Sequence, residues 1–291
     1  MSILKNMLIA VLFAGFLACN STDNAANTTQ TTLIDEADSV ADDTPARYTE
    51  EQRESIVNKG GPTASDQLIL EEQLDLLASN QIDYQGTPFE KLIGHWVGTF
   101  GKNKINITLT SINESDKTVT GYSVCAGNFR SLSGAYLVNE NAHAFILNEP
   151  GDDPYDGKFE FTIQKGSNEL SGSWTPFKKE GNSAKKYTLE HRDFVYDETN
   201  GQFEASSRYF EYEEVQNQAD EDLTLMRNEI YARHGYCFKD KDMRYHFEQQ
   251  DWYMPMGVDI RHELTDIEIA NIALIYEYEQ YYEEYSDDYG R

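Results

Sequence analysis

Along the middle of the chain, apolar and polar residues alternate with a period of two, and near the C-terminus that period lengthens to the spacing of a helix. In Lys104–Thr110, Ile105, Ile107 and Leu109 share one face; in Lys158–Gln164, Phe159, Phe161 and Ile163 do the same. Turn-forming clusters separate such runs, at Asn113-Glu-Ser-Asp116, Asn139-Glu-Asn141, Glu149-Pro-Gly-Asp-Asp-Pro154 and Lys165-Gly-Ser-Asn168. Beyond residue 220, Leu223, Met226 and Ile230 recur at helical spacing. The pattern predicts an α+β chain: an antiparallel β-barrel-like meander over 90–212, then a small three-helix module over 220–285.

A repeated device argues for closure of the meander. Leu92-x-Gly94-x-Trp96, Leu132-x-Gly134-x-Tyr136 and Leu170-x-Gly172-x-Trp174 follow one another at intervals of 40 and 38 residues. Glycine between two large side chains of the same face suits a sharply bending strand, and a closed barrel leaves no edge exposed. Gly94-His-Trp96-Val-Gly98 resembles the opening strand of lipocalin-like barrels, which implies a candidate interior pocket at Trp96, Phe161 and Trp174. A tryptophan packed across a barrel floor needs no ligand, so core and pocket are both readings of these three residues.

The helical module shows its ends in its residue types. Asp220 and Asp222 stand where capping and dipole-matching acids are wanted. Gly235 occupies the left-handed position after a helix, which puts Tyr231 and Tyr236 at the two touching positions of a Schellman ending. A short helix over Lys241–Gln249 places Met243 and Phe247 on one face. Thr265-Asp-Ile-Glu268 is a capping box, with Leu264 and Ile269 as its hydrophobic staple and Ile272, Ala273 and Tyr276 continuing the stripe. The three helices are expected to gather around Trp252.

The N-terminus bears on compartment. Lys5 precedes the apolar run Met7–Leu17, too short to span a bilayer as a mature helix, and the run ends in Phe16-Leu17-Ala18-Cys19. These four residues resemble the lipobox of bacterial lipoproteins, which implies a signal peptide over 1–18 and membrane attachment through lipid on Cys19. Asn20 in place of Asp points to the outer membrane under the same resemblance. Residues 19–65, rich in Asn, Thr, Ser, Ala and Asp, read as a disordered tether; 66–89 reads as a connector with an amphipathic helix at Gln67–Ala78 presenting Leu70, Leu74 and Leu77. Residues 286–291 form an acidic tail.

With 24 basic and 51 acidic residues the formal charge is −27, which repels nucleic acid and anionic lipid surfaces and argues against either as a partner. The acids show no calcium-loop spacing. No Gly-x-Ser-x-Gly elbow, His-Glu-x-x-His pair or phosphate loop occurs, so the sequence implies no catalytic residue, no cofactor and no metal. Cys125 and Cys237 could pair across domains, yet each has apolar neighbours of its own region.

Residues 225–236, Leu-Met-Arg-Asn-Glu-Ile-Tyr-Ala-Arg-His-Gly-Tyr, with Phe247, Trp252-Tyr253 and Asn271, closely resemble the YARHG domain over roughly 220–282. The resemblance implies an extracytoplasmic module of bacterial lipoproteins, found also beside envelope peptidases, and no particular reaction. Tyr231, Arg233, His234, Trp252 and Tyr253 are its candidate binding surface, since aromatics with arginine dominate recognition hot spots. The same residues could equally be the module's own core and ion pairs. Arg233 stands out: helix termination accounts for its neighbours but not for it, and it could pair with Glu229 or reach an external carboxylate. The sequence thus suggests a non-enzymatic envelope lipoprotein that binds a cell-envelope component or protein partner. The alternatives are a small lipophilic-ligand carrier using the barrel, or an accessory subunit of an envelope hydrolase.

Overall fold

The computed structural model describes residues 48–59, 71, 73–76, 84–178 and 184–285. The signal peptide, Cys19, Leu70, Leu77 and the acidic tail lie outside these residues. Eight strands, β1 (Gly94–Phe100), β2 (Asn103–Asn113), β3 (Thr118–Cys125), β4 (Asn128–Val138), β5 (Ala142–Asn148), β6 (Gly157–Gln164), β7 (Glu169–Pro176) and β8 (Lys185–Arg192), follow one another in sequence order. Each pairs antiparallel with the next, and β8 pairs back onto β1, closing the barrel. The three glycine repeats fall on β1, β4 and β7. Their Leu and aromatic members all point into one buried cluster. A side chain at Gly134 or Gly172 would collide with a backbone carbonyl of the neighbouring strand, so the strands coil there because nothing projects.

The barrel interior holds one continuous cluster of buried aliphatic and aromatic side chains. Trp96 pairs with His191 at one end of β8 and Trp174 with Lys185 at the other, so the two indoles lie at opposite ends of the barrel. Phe161 lies between them, stacked on Phe145 at 5.0 Å. Trp96 donates to the Leu92 carbonyl at 3.0 Å. At the far end Phe100 meets Phe159, Trp174 and Tyr187 with ring centroids 5.8–6.0 Å apart. Trp96, Phe161 and Trp174 therefore do not form one pocket, which corrects that reading. They are successive layers of core.

The barrel ends at Arg192, short of the expected residue 212, and the chain from there to residue 211 packs against helices. Those helices are α1 (Glu50–Val57), the single turn α2 (Tyr212–Val215), α3 (Asp220–Arg233), α4 (Lys241–Glu248) and α5 (Asp266–Tyr285), with a 3-10 turn at Arg261–Glu263. Three longer C-terminal helices, α3, α4 and α5, make the module. Its first core gathers Leu223, Met226, Ile230, Leu264, Ile269, Ile272 and Ile275, and a second gathers Ala232, Phe238, Phe247 and Tyr253. Trp252 is half-buried at the edge of the second core rather than at the centre of the module.

Helix α1 corrects the reading of residues 19–65 as a tether throughout. Thr49 and Gln52 form a reciprocal capping box, and Ile56 and Val57 pack on the module's first core. Arg53 pairs with Asp266 at the start of α5. In the connector, residues 71 and 73–76 are helical, but Leu74 faces solvent; Gln73 and Leu76 turn inward instead. The Gln73 amide oxygen accepts from the Val258 backbone at 3.2 Å, a polar contact that an apolar-stripe argument overlooks.

The module is welded to one side of the barrel. The outward residues Asn106, Thr108, Tyr122 and Val124 of β2 and β3 are buried, unlike the outer face of a solvent-washed barrel. Lys104 on β2 donates to the carbonyls of Gln250 and Tyr253 at 2.9 and 3.0 Å, and Arg192 on β8 donates to that of Asp251 at 2.8 Å. The Gly127 amide donates to the Cys237 sulfur at 3.1 Å. Both cysteines are free thiols, Cys125 against the barrel interior and Cys237 in the seam outside it. Burial pushes the Cys237 pKa up to about 12, so this thiol is packing material rather than a nucleophile.

Candidate functional site

Helix α3 delivers the notable residues in one turn. Its N-cap is Ala219, with no side-chain cap, so Asp220 and Asp222 serve as first-turn acids rather than as caps. At the other end the Schellman pattern is complete. Gly235 has φ +74°, its amide donates to the Ala232 carbonyl at 2.9 Å, and the Tyr236 amide donates to the Tyr231 carbonyl at 3.0 Å. Tyr231 and Tyr236 meet edge to face with centroids 6.2 Å apart.

Arg233 points inward from that last turn, and its side chain is fully buried. It donates to the Asn200 carbonyl at 2.6 Å, to the Ser206 hydroxyl at 2.9 Å, to the Phe203 carbonyl, and to Glu229 at 2.7 Å. Glu229 in turn accepts from the backbone amides of Gln202 and Phe203 at 2.8–3.1 Å. Asn271 on α5 completes the grip: its oxygen accepts from Phe210 at 2.8 Å, and its nitrogen donates to Ala205 and Arg208 at 2.7 and 2.8 Å. Three side chains thus satisfy the backbone of an irregular loop over 200–210 that would otherwise leave buried polar groups unpaired. Arg233 has the local duty that periodicity could not show.

His234 is committed as well. Its Nε2 lies 2.8 and 3.0 Å from the two oxygens of Glu268, and its Nδ1 faces Glu263 at 3.6 Å. Tyr196 stacks on the imidazole with centroids 4.6 Å apart and donates to Glu268 at 3.1 Å. Burial opposes the imidazolium, but the hydrogen bonds and charges of Glu263 and Glu268 together outweigh it and lift the His234 pKa to about 9. Burial likewise opposes the Glu268 carboxylate, and His234, Ser206 and the Thr265 amide overcome it, holding its pKa below the ordinary value. The capping box of α5 is present, with Thr265 and Glu268 exchanging bonds at 2.9 and 3.3 Å. Glu268 therefore caps a helix and neutralises a buried cation with the same carboxylate.

This arrangement is poor at nucleophilic chemistry. Ser206 donates to Glu268 at 2.6 Å, so the carboxylate stands between the hydroxyl and the imidazole. A base-activated serine needs the imidazole next to the hydroxyl, with the carboxylate behind it. Among the described residues no group of three or more His, Cys, Asp or Glu is placed to hold a metal ion.

Tyr253 is buried, and its hydroxyl donates to the Tyr236 carbonyl at 2.8 Å. Of the five candidate surface residues, Arg233, His234 and Tyr253 lie inside the fold and Tyr231 and Trp252 are half-buried, so they do not make one recognition surface. Tyr231 instead helps line a cleft that sequence reasoning missed. It opens between the end of α1, the middle of α3 and the strand-like stretch after Met256, and encloses about 330 Å³. Its walls carry Lys59, Arg227, Lys239 and Arg261 and the rings of Tyr231, Tyr236 and Tyr276, with Asp259 as the one lining carboxylate among the described residues. Arg227 is held by both oxygens of Glu279 at 2.9 Å, while Arg261 is tied to Asp259 and Asn58.

The sequence of residues 199–280 matches the family model of the YARHG domain. The chain carries a C-terminal YARHG domain. The match begins at residue 199, at the loop that Arg233, Glu229 and Asn271 hold, well before the start of α3 where the resemblance in residue types sets in. Loop and helices are thus one unit in the family as they are in the fold. The YARHG domain is consistent with an extracytoplasmic, cell-envelope protein. Comparisons with curated proteins and with solved structures gave no match. No helix among the described residues is long and apolar enough to cross a membrane.

Proposed function

We propose that this chain is a lipid-anchored protein of the bacterial outer membrane, held through Cys19, whose barrel and YARHG domain act together as a non-enzymatic binding or scaffold unit. The observation that carries the reading is the internal commitment of the motif. Arg233, His234, Glu229 and Glu268 satisfy one another and the 200–210 loop, so the polar groups of the motif build a rigid platform. The seam of Lys104, Arg192 and Cys237 fixes that platform on the barrel. A platform of this kind suits presentation of a surface to a cell-envelope component.

The test has two parts. The full chain should fractionate with membranes and partition into detergent, while Cys19→Ser should be released in soluble form. Chemical crosslinking in cells, followed by purification of the anchored chain, should recover an envelope component that is lost when the chain is unfolded. A soluble wild-type chain would remove the anchor from the proposal; a properly anchored chain that crosslinks to nothing would remove the binding role.

A further inference from the structure

The cleft of the YARHG domain is chemically unlike the rest of the molecule. The chain bears a formal charge of −27, yet among the described residues Lys59, Arg227, Lys239 and Arg261 line this cleft beside Asp259, with Glu279 holding Arg227. The cations are set against rings. Lys59 Nζ lies 4.5 Å from the centroid of Tyr276, and the Arg227 guanidinium lies 4.9 Å from the same ring and 6.0 Å from that of Tyr231. Arg227 is fixed by its two-point contact with Glu279, and Arg261 by Asp259, so both guanidinium groups are positioned in advance. Val57, Val258 and Ile260 supply apolar wall between them.

We infer that this cleft binds a small ligand carrying one carboxylate beside a flat or apolar group, such as the free C-terminus of a peptide ending in an aromatic residue. The inference rests on the reading that the chain acts by binding, and adds to it the site and the ligand class. Three features select that class. A volume of about 330 Å³ holds a ligand of one or two residues, at the lower end of small-molecule sites. Ring and apolar wall next to cations fit a ligand with the same two parts. The acidic exterior repels polyanions at a distance, so a single negative charge enters where nucleic acid or a multiply phosphorylated ligand is turned away.

The probe is N-acetylphenylalanine, titrated into the full chain by calorimetry and followed by tyrosine fluorescence, with N-acetylphenylalaninamide and phenyl phosphate alongside. Saturable binding of the acid is expected, weakened by salt, with the amide bound at least about tenfold more weakly. Lys59 is exposed, so its substitution is expected to spare the fold, which an unchanged circular dichroism spectrum checks. Lys59→Glu should weaken acid binding by about tenfold, and Lys59→Arg should restore it. The inference is overturned if the acid does not bind, if the amide binds equally well, if phenyl phosphate binds better than the acid, or if Lys59→Glu changes nothing. A chain that crosslinks to an envelope component but ignores the acid loses this site and keeps its binding role. A chain that takes the acid yet crosslinks to nothing keeps the site and loses the envelope partner.

Discussion

The barrel and the YARHG domain are held together by different physics, although they share a seam. The barrel's interior is a continuous set of aliphatic and aromatic side chains whose strands pair only with neighbours in sequence. The domain has an apolar core of its own, but around it runs a buried polar shell: Arg233 with Glu229, His234 with Glu268, and Asn271 on loop carbonyls and an amide. Apolar packing is forgiving of shape-conserving change, while a buried ion pair gives little net stability and exacts a large penalty when one partner is lost. Sturdy and brittle parts sit side by side, and the brittle part carries the named motif.

Breaking the largest polar contact should expose that difference most clearly. Arg233→Met removes every donor to Asn200, Phe203 and Ser206 and leaves the buried Glu229 without its cation. A loss of about 3–5 kcal/mol is expected for the domain. Arg233→Lys, which keeps the charge but cannot fork to four acceptors, should recover only part of it. Chemical unfolding followed by circular dichroism should show helix melting before the barrel's strand signal. A single unshifted transition in Arg233→Met would show that the clasp is dispensable.

Glycine substitutions sharpen the comparison on steric grounds. Gly235→Val forces a β-branched residue to φ +74° and into Met256, so a cost of about 2–3 kcal/mol confined to the domain is expected. Gly134→Val should cost the barrel a comparable amount, about 2–3 kcal/mol, because the new side chain meets the Ile146 carbonyl across the strand pair. Thermal melts of the two variants, read at strand and helix wavelengths, should move opposite halves of the signal. If both variants shift both halves equally, the domain and barrel unfold as one unit and the contrast is thermodynamically empty.

What could be read from the sequence follows the same division. Alternation and the recurring Leu-x-Gly-x-aromatic device located β1, β4 and β7, since apolar strands and glycine bends are written in residue type. The Schellman ending at Gly235 and the capping box at Thr265 and Glu268 were legible because those motifs depend on side chains at fixed offsets. The pairing of Arg233 with Glu229 was legible as a one-turn spacing, but the grip of Arg233 and Asn271 on the loop was not, because those partners are mostly backbone groups of a loop that carries no residue signature. Helix α1 was hidden by a polar composition, although Thr49 and Gln52 had spelled out a cap. Trp252 attracted attention by its size, yet Phe238, Phe247 and Tyr253 fill the centre it was given.

Acidity and alkalinity should separate the two parts further. The His234 pKa is raised from 6.5 to about 9, so its stabilising share is complete below 6.5 and lost as pH rises through about 9. Glu268 is shifted downward from 4.5, so its share is present above 4.5 and lost as pH falls below that value. Together they give the domain a stability maximum between about pH 4.5 and pH 6.5, with a decline of roughly 2–3 kcal/mol toward pH 9 and above. His234→Gln should abolish the alkaline limb of that profile. An alkaline decline that persists in this variant would assign it to other groups.

The smallest expected effect belongs to the barrel and has a different sign logic. Glu149, at the Trp174 end, accepts from the Gly157 amide at 2.6 Å and from the Trp174 indole at 3.0 Å. Burial outweighs both hydrogen bonds, and its pKa rises from 4.5 to about 7. A carboxyl whose folded pKa is raised contributes stability below its ordinary value, and that contribution disappears as pH climbs through about 7. The barrel should therefore weaken as pH rises from about 4.5 to about 7, over much of the range where the domain is at its best. Glu149→Gln keeps an oxygen for Gly157 and Trp174 and has no proton to lose. It should match the wild type at about pH 4 and exceed it by about 1–2 kcal/mol at about pH 8, read from the denaturant midpoint of the tryptophan signal. Equal midpoints at both pH values would place the charged form of Glu149 at ease in the barrel, and the difference between the two regions would then rest on the domain's ion pairs alone.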